Sequence, residues 1–461
     1  MELPQEFRRR MEVLLGAEYP AFEAALCAPL TVRGLRVNTQ KLSLEAFAAR
    51  FPVPAEPVPF CREGFSVPAS FIAGTDPWHH AGAYYMQEPS AMSAVTVLAP
   101  RPGERVLDLC AAPGGKSTQI AAALSGDGLL WCNEFVRGRA SALMQNLERC
   151  GVTNAVVTSM DTAPLCERLA GQFDAVLADV PCSGEGMFRK EPEALPLWST
   201  DNIALCTARG HAILASAAKA VRPGGRLVYS TCTYAPEENE GQILRFLREN
   251  PDFTLVPAGV AFGRPAFTAA QLISLLPDAD DHGIPLQNAR RILPNNGGEG
   301  HFIALLQRGG GEAPAFPAPV REKADANADA CRALMADCFF EPPAGRPRTV
   351  GDTVRLLPDM LPDTSGLYLL FAGVAAATVC RGRLEPCHGI FTAMPPDNCR
   401  RVLSLTRDDP RAAAFLRGES VDAPSLSGWT AVAVDGVVTG FGKAGGGVLK
   451  NRYPKALRLR S

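Results

Sequence analysis

The stretch Arg105–Ser117, RVLDLCAAPGGKS, decides the fold of this 461-residue chain. Its first half is an apolar run that predicts a β-strand. Its second half turns at Gly114 and Gly115 into the helical pattern of Ser117–Leu124. A strand, a glycine turn and a helix in this order form the ligand-binding unit of open α/β sheets, because glycines let backbone N–H groups approach a ligand closely. The sequence therefore predicts a ligand site at the carboxyl end of this strand.

Further apolar runs alternate with amphipathic stretches on the C-terminal side of this segment. The predicted strands are 105–110, 128–133, 155–161, 173–180, 225–231 and 302–306. Such alternation is typical of βαβ units that form a parallel sheet with helices on both faces. We therefore expect an α/β fold with a Rossmann-like domain at its centre.

Composition excludes several other classes of protein. Hydrophobic residues make up 47% of the chain and charged ones 20%, which is the balance of a globular protein. A net charge of -2 excludes a wholly basic nucleic-acid binder but leaves room for a local basic patch. The apolar run 368–380 is shorter than the roughly 20 residues of a membrane span, and the N-terminus lacks the pattern of a secretory signal. We expect no membrane association.

The 14 cysteines are scattered and form no CxxC pair, and the six histidines do not combine with them at zinc-finger spacing. We therefore expect no metal site. Free thiols are typical of a reducing compartment, which indicates a cytoplasmic protein.

Composition shifts along the chain predict its domains. We expect a small α/β domain at 1–83, the Rossmann-like domain at 84–308, a Gly/Ala/Pro-rich linker at 309–330, a small α/β module at 331–390 and a β-rich module at 391–461. The C-terminal segment from residue 440 contains no acid, and its six basic residues are Lys443, Lys450, Arg452, Lys455, Arg458 and Arg460.

Three ligands could explain the glycine turn. Gly115-Lys116-Ser117 fits the end of a phosphate-binding loop, but Cys110 stands where that loop needs its first glycine. The dinucleotide pattern GxGxxG is also missing. A site for S-adenosylmethionine (SAM) needs neither pattern. A strand–turn–helix connection without a ligand is the remaining alternative.

Acidic residues at three successive strand ends favour a ligand. Glu134 lies 20 positions beyond Gly114, where a carboxylate can bind ribose hydroxyls. Asp161 follows the third strand, from which it could reach the adenine, and Asp179 ends the fourth. All three lie at the carboxyl edge of the predicted sheet, where ligands bind in such folds.

Cys182 and Cys232 each follow a predicted strand of the same edge. A thiolate that adds to carbon 6 of a pyrimidine makes carbon 5 nucleophilic enough to take a methyl group, and this is covalent catalysis. Pro236 to Glu240 reads as a first helical turn, which would lower the pKa of the upstream Cys232. Cys110 looks structural, as do the remaining cysteines, which are predicted to be small buried hydrophobes: Cys27, Cys61, Cys132, Cys150, Cys166, Cys206, Cys331, Cys338, Cys380, Cys387 and Cys399.

The chain resembles the Nop/Sun class of RNA cytosine-5 methyltransferases. The segments that carry the resemblance are RGLRVNT (33–39), YMQEPSAMSAV (85–95), LDLCAAPGGKSTQIA (107–121), NEFVRGRASALMQN (133–146), DAVLADVPCSGEGMFRK (174–190) and GGRLVYSTCTYAPEENE (224–240). At the C-terminus, RLEPCHGIFTAM (383–394) and GFGKAGGGVLKNRYPKALR (440–458) resemble the bacterial RsmF-like branch, which modifies small-subunit (16S) ribosomal RNA.

This resemblance implies a fold and a reaction. The catalytic domain is expected to be a SAM-dependent methyltransferase domain whose seven-stranded sheet is parallel except for strand seven. The N-terminal domain and a PUA-like C-terminal module are expected to bind RNA. The reaction is methyl transfer from SAM to carbon 5 of cytidine.

The resemblance also implies roles for individual residues. Cys232 matches the nucleophile, Cys182 the cysteine that helps release the product, and Asp179 an acid close to both cofactor and base. SAM contacts are implied for Cys110, Ala111, Ala112, Pro113, Gly114, Gly115, Lys116, Glu134, Asp161 and Asp179. Arg139 is implied near the cofactor or the RNA.

RNA would reach this site through the basic C-terminal segment, with Gly445–Gly447 and Tyr453 predicted on a loop beside the phosphates and Arg8–Arg10 adding charge. Alternatives remain in the substrate and in the kind of protein. A tRNA could replace the ribosomal RNA, the protein could be a non-catalytic ribosome-assembly factor on the same fold, or it could methylate a small molecule. The sequence does not indicate an oligomeric state.

Overall fold

The computed structural model describes residues 1–312, 314 and 324–459. Its N-terminal part is a four-stranded antiparallel sheet, in the order β2-β3-β1-β4, accompanied by four helices. The elements are α1 (Gln5–Leu15), α2 (Tyr19–Cys27), β1 (Val32–Val37), α3 (Leu44–Arg50), β2 (Glu56–Pro57), β3 (Gly64–Pro68), α4 (Pro77–His80) and β4 (Tyr84–Met86).

The central part holds the predicted α/β sheet. Its elements are α5 (Ser93–Leu98), β5 (Arg105–Asp108), α6 (Gly115–Leu124), β6 (Leu129–Asn133), α7 (Arg137–Arg149), β7 (Ala155–Thr158), α8 (Thr162–Arg168), β8 (Phe173–Asp179), α9 (Thr200–Ala220), β9 (Val221–Thr231), α10 (Glu240–Glu249), β10 (Phe253–Val256), β11 (Arg264–Pro265), α11 (Ala269–Leu272), β12 (Arg290–Ile292) and β13 (His301–Arg308). Strands β7-β6-β5-β8-β9 run parallel, β13 lies antiparallel beside β9, and β10 pairs with β13. These seven strands confirm the expected Rossmann-like sheet, and strand seven is the antiparallel one.

Both faces of this sheet are covered, which explains why its strands read as continuous apolar runs. Leu107 and Val176 point into the core on one face, whereas their neighbours Val106 and Ala175 point into the core on the other. Because side chains alternate along a strand, successive residues of the same strand pack into the hydrophobic cores on the two faces of the sheet. Burial on both sides fixes the sheet and therefore the edge at which the predicted site residues end.

The C-terminal part adds two further sheets. Its elements are α12 (Ala328–Cys338), β14 (Arg346–Val350), β15 (Thr353–Leu357), β16 (Leu369–Ala372), β17 (Val374–Cys380), β18 (Arg383–Pro386), α13 (His388–Thr392), β19 (Val402–Leu405), α14 (Pro410–Arg417), β20 (Val421–Asp422), β21 (Gly428–Val434), β22 (Val437–Gly445) and β23 (Val448–Asn451). The sheet orders are β14-β15-β17-β18 and β19-β21-β22-β23-β20.

Strand β16 does not join the sheet of β15 and β17, which flank it in the chain. It extends the central sheet, where it lies antiparallel to β7. Together with β11 and β12 it raises the central sheet to ten strands. The C-terminal part is therefore joined to the central sheet by backbone hydrogen bonds.

The N-terminal helices pack beneath the two cysteine-bearing loops. The Phe22 ring lies edge-on to Tyr234, with ring centroids 5.0 Å apart, and Phe7 packs on Phe188. Helix α4 instead contacts the last sheet of the chain, since Trp78 on this helix donates a hydrogen bond to the carbonyl oxygen of Val434. The N-terminal part thus contacts both the cysteine-bearing loops and the last sheet of the chain.

Three local expectations need correction. The third strand ends at Thr158, so Asp161 caps α8 and does not end the strand. The helix expected at Pro236 begins at Glu240, because residues 236–239 form turns. Cys380 is exposed at the end of β17 and is not a buried hydrophobe.

Part of the predicted linker, residues 313 and 315–323, lies outside the described residues, as does Arg460. Within the described ranges, no helix is long and apolar enough to cross a membrane.

Candidate active site

The glycine turn after β5 is held from outside by the N-terminal sheet. Gly114 has a positive φ of 110° and is the N-cap residue of α6. The Arg36 guanidinium, which is buried, donates to the carbonyl oxygen of Gly115 at 3.0 Å, to Thr118 at 2.8 Å and to Gln87 at 3.0 Å. The N-terminal sheet therefore fixes the backbone that a ligand at this turn would meet.

A cavity of about 320 Å³ lies at the carboxyl edge of the sheet. Eight predicted site residues line it: Cys110, Ala111, Ala112, Pro113, Gly115, Lys116, Asp179 and Cys232. Gly114 and Cys182 do not line the cavity: a Cβ at Gly114 would lie 3.2 Å from Leu143, and Cys182 contacts Cys232. The structure therefore brings the glycine turn, the acid of β8 and one of the two cysteines to a single cavity.

Lys116 and Asp179 form an ion pair in the cavity wall. The Lys116 ammonium lies 2.6 Å from Asp179 Oδ2, and the Ser230 hydroxyl donates to Oδ1 at 2.7 Å. Burial alone would raise the pKa of Asp179, but Lys116 and His301 outweigh it and lower the value. The Asp179 side chain is therefore an ionised carboxylate, and Lys116 and Ser230 hold it in position. Because Lys116 is held by Asp179, it does not serve as the free phosphate ligand of a phosphate-binding loop.

The two cysteines meet although they are 50 residues apart. Their Sγ atoms are 3.4 Å apart, and the backbone N–H of Cys232 donates to Cys182 Sγ at 3.3 Å. The hydrogen bond with Cys232 and burial raise the pKa of the Cys182 thiol well above its ordinary value. Cys182 is therefore a protonated thiol at neutral pH, directly beside the sulfur that faces the cavity.

Two buried glutamates tie the cysteine loops to each other. Glu185 accepts from the Thr233 hydroxyl and the Tyr234 N–H, each at 2.9 Å. Glu238 accepts from the hydroxyl and the backbone N–H of Ser183, at 2.5 and 3.0 Å. Burial raises the pKa of Glu238 to about 7 and raises that of Glu185 as well. These crossed contacts hold the two sulfur atoms at contact distance.

Glu134 and Asp161 lie on the same edge but not in the cavity wall. Glu134 is buried after β6, accepts the Val136 N–H at 2.9 Å and lies 3.5 Å from Arg139, whose guanidinium donates to Ala112 O. Asp161 is exposed and accepts the Ala163 N–H. The contacts predicted for both carboxylates with a cofactor stay predictions.

Several residues of the site were not predicted from the sequence. Asp108 ends β5, is buried, and accepts from Ser117 at 2.7 Å, while its Oδ1 has no partner within the described chain. Burial raises its pKa to about 7. Its place inside the strand-turn segment 105–117 was a usable signal. Glu88 and His301 also line the cavity, but neither gave a pattern that singles it out.

The basic C-terminal segment contributes two strands to the last sheet of the chain. Lys443 lies on β22 and Lys450 on β23, directly opposite each other. The Lys443 ammonium lies 4.9 Å from the centre of the Trp429 ring and the Arg452 guanidinium 5.8 Å from it. We call Trp429, Lys443, Lys450 and Arg452 the Trp429 patch.

One expectation about an RNA-facing residue is corrected. Tyr453 is 2% exposed and hydrogen-bonds to His80 at 2.9 Å, so it does not lie on a surface loop. Arg8, Arg9 and Arg10 form ion pairs with Glu23, Glu6 and Glu237. The charge that these arginines would add to an RNA-binding surface stays a prediction.

The polar groups at this edge of the sheet fit SAM better than a nucleotide phosphate. Asp179 in the cavity wall and the buried Asp108 and Glu134 near it make the edge acidic, and SAM carries a sulfonium and an ammonium group. Asp108 Oδ1, which lacks a partner among the described residues, is a buried acceptor next to the turn. Groups of three or more His, Cys, Asp or Glu that could hold a metal are absent from the described part of the chain.

The sheet order and the glycine turn with its acidic edge define the class of the Rossmann-like methyltransferases. The family described as "16S rRNA methyltransferase RsmB/F" matches residues 95–307, the N-terminal domain of 16S rRNA methyltransferase RsmF matches 3–89, and the methyltransferase RsmF PUA domain matches 402–459. The chain belongs to this RsmB/F family, and the resemblance to the Sun class and its RsmF-like branch is confirmed.

Individual relatives agree with this assignment. Ribosomal RNA small subunit methyltransferase F of Aeromonas hydrophila is 32% identical over 99% of this chain and 97% of its own length. The protein of the same name from Enterobacter sp. (strain 638) is 38% identical, but the match spans 66% of this chain and 63% of that protein. Among solved structures, the chain is similar to a methyltransferase homolog protein from Pyrococcus horikoshii, with 31% sequence identity and a TM-score of 0.57. The match covers 66% of this chain and 95% of that one.

Proposed function

We propose that the protein uses SAM to methylate carbon 5 of a cytidine in small-subunit (16S) ribosomal RNA, through a transient bond between Cys232 and the base. One observation carries the proposal. The Cys232 sulfur lies at the cavity that the glycine turn lines, and a second thiol touches it from behind. A methyltransferase that acts on a more nucleophilic atom has no use for such a pair.

The chemistry follows from the electron-poor pyrimidine ring. The Cys232 thiolate forms a bond to carbon 6, and the electron pair of the 5,6 double bond moves toward carbon 5. SAM, when bound at the turn, supplies the electrophilic methyl group that carbon 5 takes. A base then takes the carbon-5 proton, the electron pair of that C–H bond re-forms the 5,6 double bond, and the bond between carbon 6 and sulfur breaks to release the Cys232 thiolate.

The neighbouring residues have supporting roles in this proposal. Asp179, fixed by Lys116 and Ser230, faces the target base and the cofactor. Cys182 assists the release step from its position 3.4 Å behind Cys232. The backbone from Cys110 to Lys116, with Glu134 and Asp161, would hold SAM.

The target base must leave its stack to reach the cavity. We propose that the N-terminal domain (1–83) and the PUA-like domain (391–461) hold the RNA while the catalytic domain (84–308) carries the reaction. The Trp429 patch supports this division, because Lys443 and Lys450 face each other across two strands and like charges so placed repel unless an anion lies between them. Free cysteines support a cytoplasmic location.

The substrate is tested by mapping 5-methylcytidine in RNA from a strain that lacks the gene, with and without the gene restored. In parallel, purified protein is offered naked small-subunit RNA, assembled small subunits and tRNA. We expect one or more small-subunit cytidines to gain the methyl group only when the gene is present. Methylation of tRNA alone would transfer the proposal to the tRNA enzymes of the same class.

The mechanism is tested with Cys232→Ala, which should abolish turnover on the same RNA. Cys380→Ala, which removes an exposed cysteine far along the chain from the site, is the matched control and should keep full activity. Turnover by Cys232→Ala at more than a small fraction of the wild-type rate would remove Cys232 from its role.

A further inference from the structure

His301 and Cys232 lie at the same end of two neighbouring strands. Strands β9 and β13 are antiparallel and pair as far as Thr231 and Phe302, and Cys232 and His301 are the next residues along this register. Residues directly opposite each other in such a pair project from the same face. His301 is 5% exposed and lines the same cavity as Cys232. The imidazole therefore belongs to the wall against which the target base would lie.

A hydrogen-bond network fixes which nitrogen of His301 carries the proton. Burial would raise the pKa of Glu88, but Lys190, His301 and Ser90 outweigh it and lower the value, so Glu88 is an ionised acceptor. The Ser90 hydroxyl must therefore donate to Glu88, at 2.5 Å. Ser90 Oγ lies 3.1 Å from His301 Nδ1, and with its own proton committed it can only accept. His301 is thus protonated on Nδ1.

The other nitrogen, Nε2, is then a lone-pair acceptor. No group in the described part of the chain hydrogen-bonds to Nε2, and this atom is open to the cavity. Burial and the neighbouring Lys116 lower the pKa of His301 to about 4, so the ring is neutral at physiological pH. A group with so low a pKa is a weak proton acceptor, which favours hydrogen bonding over acid–base catalysis.

We propose that His301 is a specificity-determining residue whose Nε2 accepts a hydrogen bond from the 4-amino group of the target cytosine. This inference rests on the proposed function. Cytosine presents a donor at position 4, whereas uracil presents a carbonyl oxygen that would face the Nε2 lone pair with no proton between them. Asp179 already accepts from Lys116 and Ser230, whereas Nε2 accepts from no group among the described residues and is a free acceptor in the wall that Cys232 shares.

The test uses small-subunit RNA in which the mapped cytidine is kept or replaced by the ribonucleoside of 2-pyrimidinone, which lacks the 4-amino group. For each protein, kcat/KM on the cytidine RNA is divided by kcat/KM on the 2-pyrimidinone RNA. The intrinsic reactivity of the two bases cancels when these ratios are compared between proteins. We expect the ratio of His301→Phe to be at least about tenfold lower than that of the wild type, because a site built to hydrogen-bond a substrate group discriminates strongly against its loss.

Two further variants separate recognition from packing. His301→Gln keeps an acceptor near the position of Nε2 and should retain most of the wild-type ratio. His301→Asn can keep the contact with Ser90 but has no acceptor at that position, so it should behave like His301→Phe even if the bulkier variant folds poorly.

The proposed function and the role of His301 fail in different ways. Absence of wild-type turnover on the cytidine RNA would overturn the proposed function and this inference with it. Normal wild-type turnover, with the same ratio in the wild type, His301→Phe and His301→Asn, would overturn the role of His301 alone.

Discussion

The cysteine edge of the central sheet and the Trp429 patch are built on opposite principles. At the cysteine edge, buried polar groups are bound to one another, as Glu185 is to Thr233 and Lys116 to Asp179. In the patch, Lys443, Lys450 and Arg452 are exposed to solvent, and Arg452 also forms an ion pair with Glu385. A buried group left without its partner costs far more than an exposed one. We therefore expect each single substitution at the cysteine edge to have a large effect of its own. Each substitution in the Trp429 patch should have a small effect that adds to those of the others.

The largest effect is expected from Cys182→Ala. Without the thiol that assists release, turnover should fall by about 10²-fold or more, and the bond between Cys232 and the RNA should persist. A slow-migrating protein–RNA band on a denaturing gel measures this.

Two controls accompany the Cys182 prediction. Cys206→Ala removes a buried cysteine on α9 and should give neither effect, and Cys182→Ala combined with Cys232→Ala should give no band. Free protein alone in the Cys182→Ala lane would contradict the release role.

The next effect concerns the carboxyl group that holds Ser183. The pKa of Glu238 is raised from 4.5 to about 7 by burial, so the folded protein keeps a proton that the unfolded chain releases between these values. The contribution of Glu238 to the free energy of unfolding is therefore fully present below about pH 4.5. It is lost as the pH rises to about 7, and the loss is on the order of 3 kcal/mol. Glu238→Gln should remove this loss, which urea unfolding at about pH 5 and pH 8 would show.

Glu193→Gln is the matched control for Glu238, because it changes an exposed glutamate that follows the same cysteine loop. It should leave the pH dependence as it is in the wild type. A wild-type protein and a Glu238→Gln variant with equal pH dependence would show that Glu238 titrates normally.

A smaller effect is expected where the N-terminal sheet meets the glycine turn. Arg36→Met removes three hydrogen bonds and leaves the carbonyl oxygen of Gly115 without its donor. We expect SAM to bind about tenfold more weakly, which corresponds to about 1.4 kcal/mol, as measured by calorimetry. Arg33→Met changes an exposed arginine on the same strand and should bind SAM normally. Equal affinities for the two variants would show that Arg36 does not support the turn.

The smallest effects belong to the Trp429 patch. Each of Lys443→Gln, Lys450→Gln and Arg452→Gln should weaken RNA binding a few-fold and lower the salt slope by about 0.7 to 0.9 for each phosphate that the variant no longer neutralises. Fluorescence titrations over a range of salt concentrations measure both. Lys219→Gln, which changes an exposed lysine of α9, is the control. An unchanged salt slope in the triple variant would exclude the patch from RNA binding.

The same contrast explains how much of the molecule could be predicted from its sequence. Strands β5 to β9 were predictable because burial on both faces leaves continuous apolar runs, and Cys182 and Cys232 follow two of these strands directly. Strand β16 was not predictable as part of that sheet, since its partner β7 lies more than 200 positions away. The contacts of Arg36 with the turn and of Glu238 with Ser183 are non-local in the same way.

The glycine-rich C-terminal segment was predictable only in part. Gly446 and Gly447 form a turn between β22 and β23, as expected, whereas Gly440 and Gly442 lie within β22, and glycines inside a strand weaken its signal in the sequence. In the structure, a Cβ at Gly442 would lie 2.3 Å from Leu449, and one at Gly440 would lie 3.0 Å from Phe415. These glycines allow close packing within a sheet, and that packing places Tyr453 in the interior.

The central claim is that the Cys232 sulfur bonds to the target base, and one measurement tests it most directly. Fluorine at carbon 5 cannot leave as a proton does, so RNA that carries 5-fluorocytidine at the mapped position should hold the wild-type protein in the covalent state. After nuclease and protease digestion, mass spectrometry should find the nucleotide on the peptide that contains Cys232. A nucleotide on the Cys182 peptide, or on none, would contradict the account.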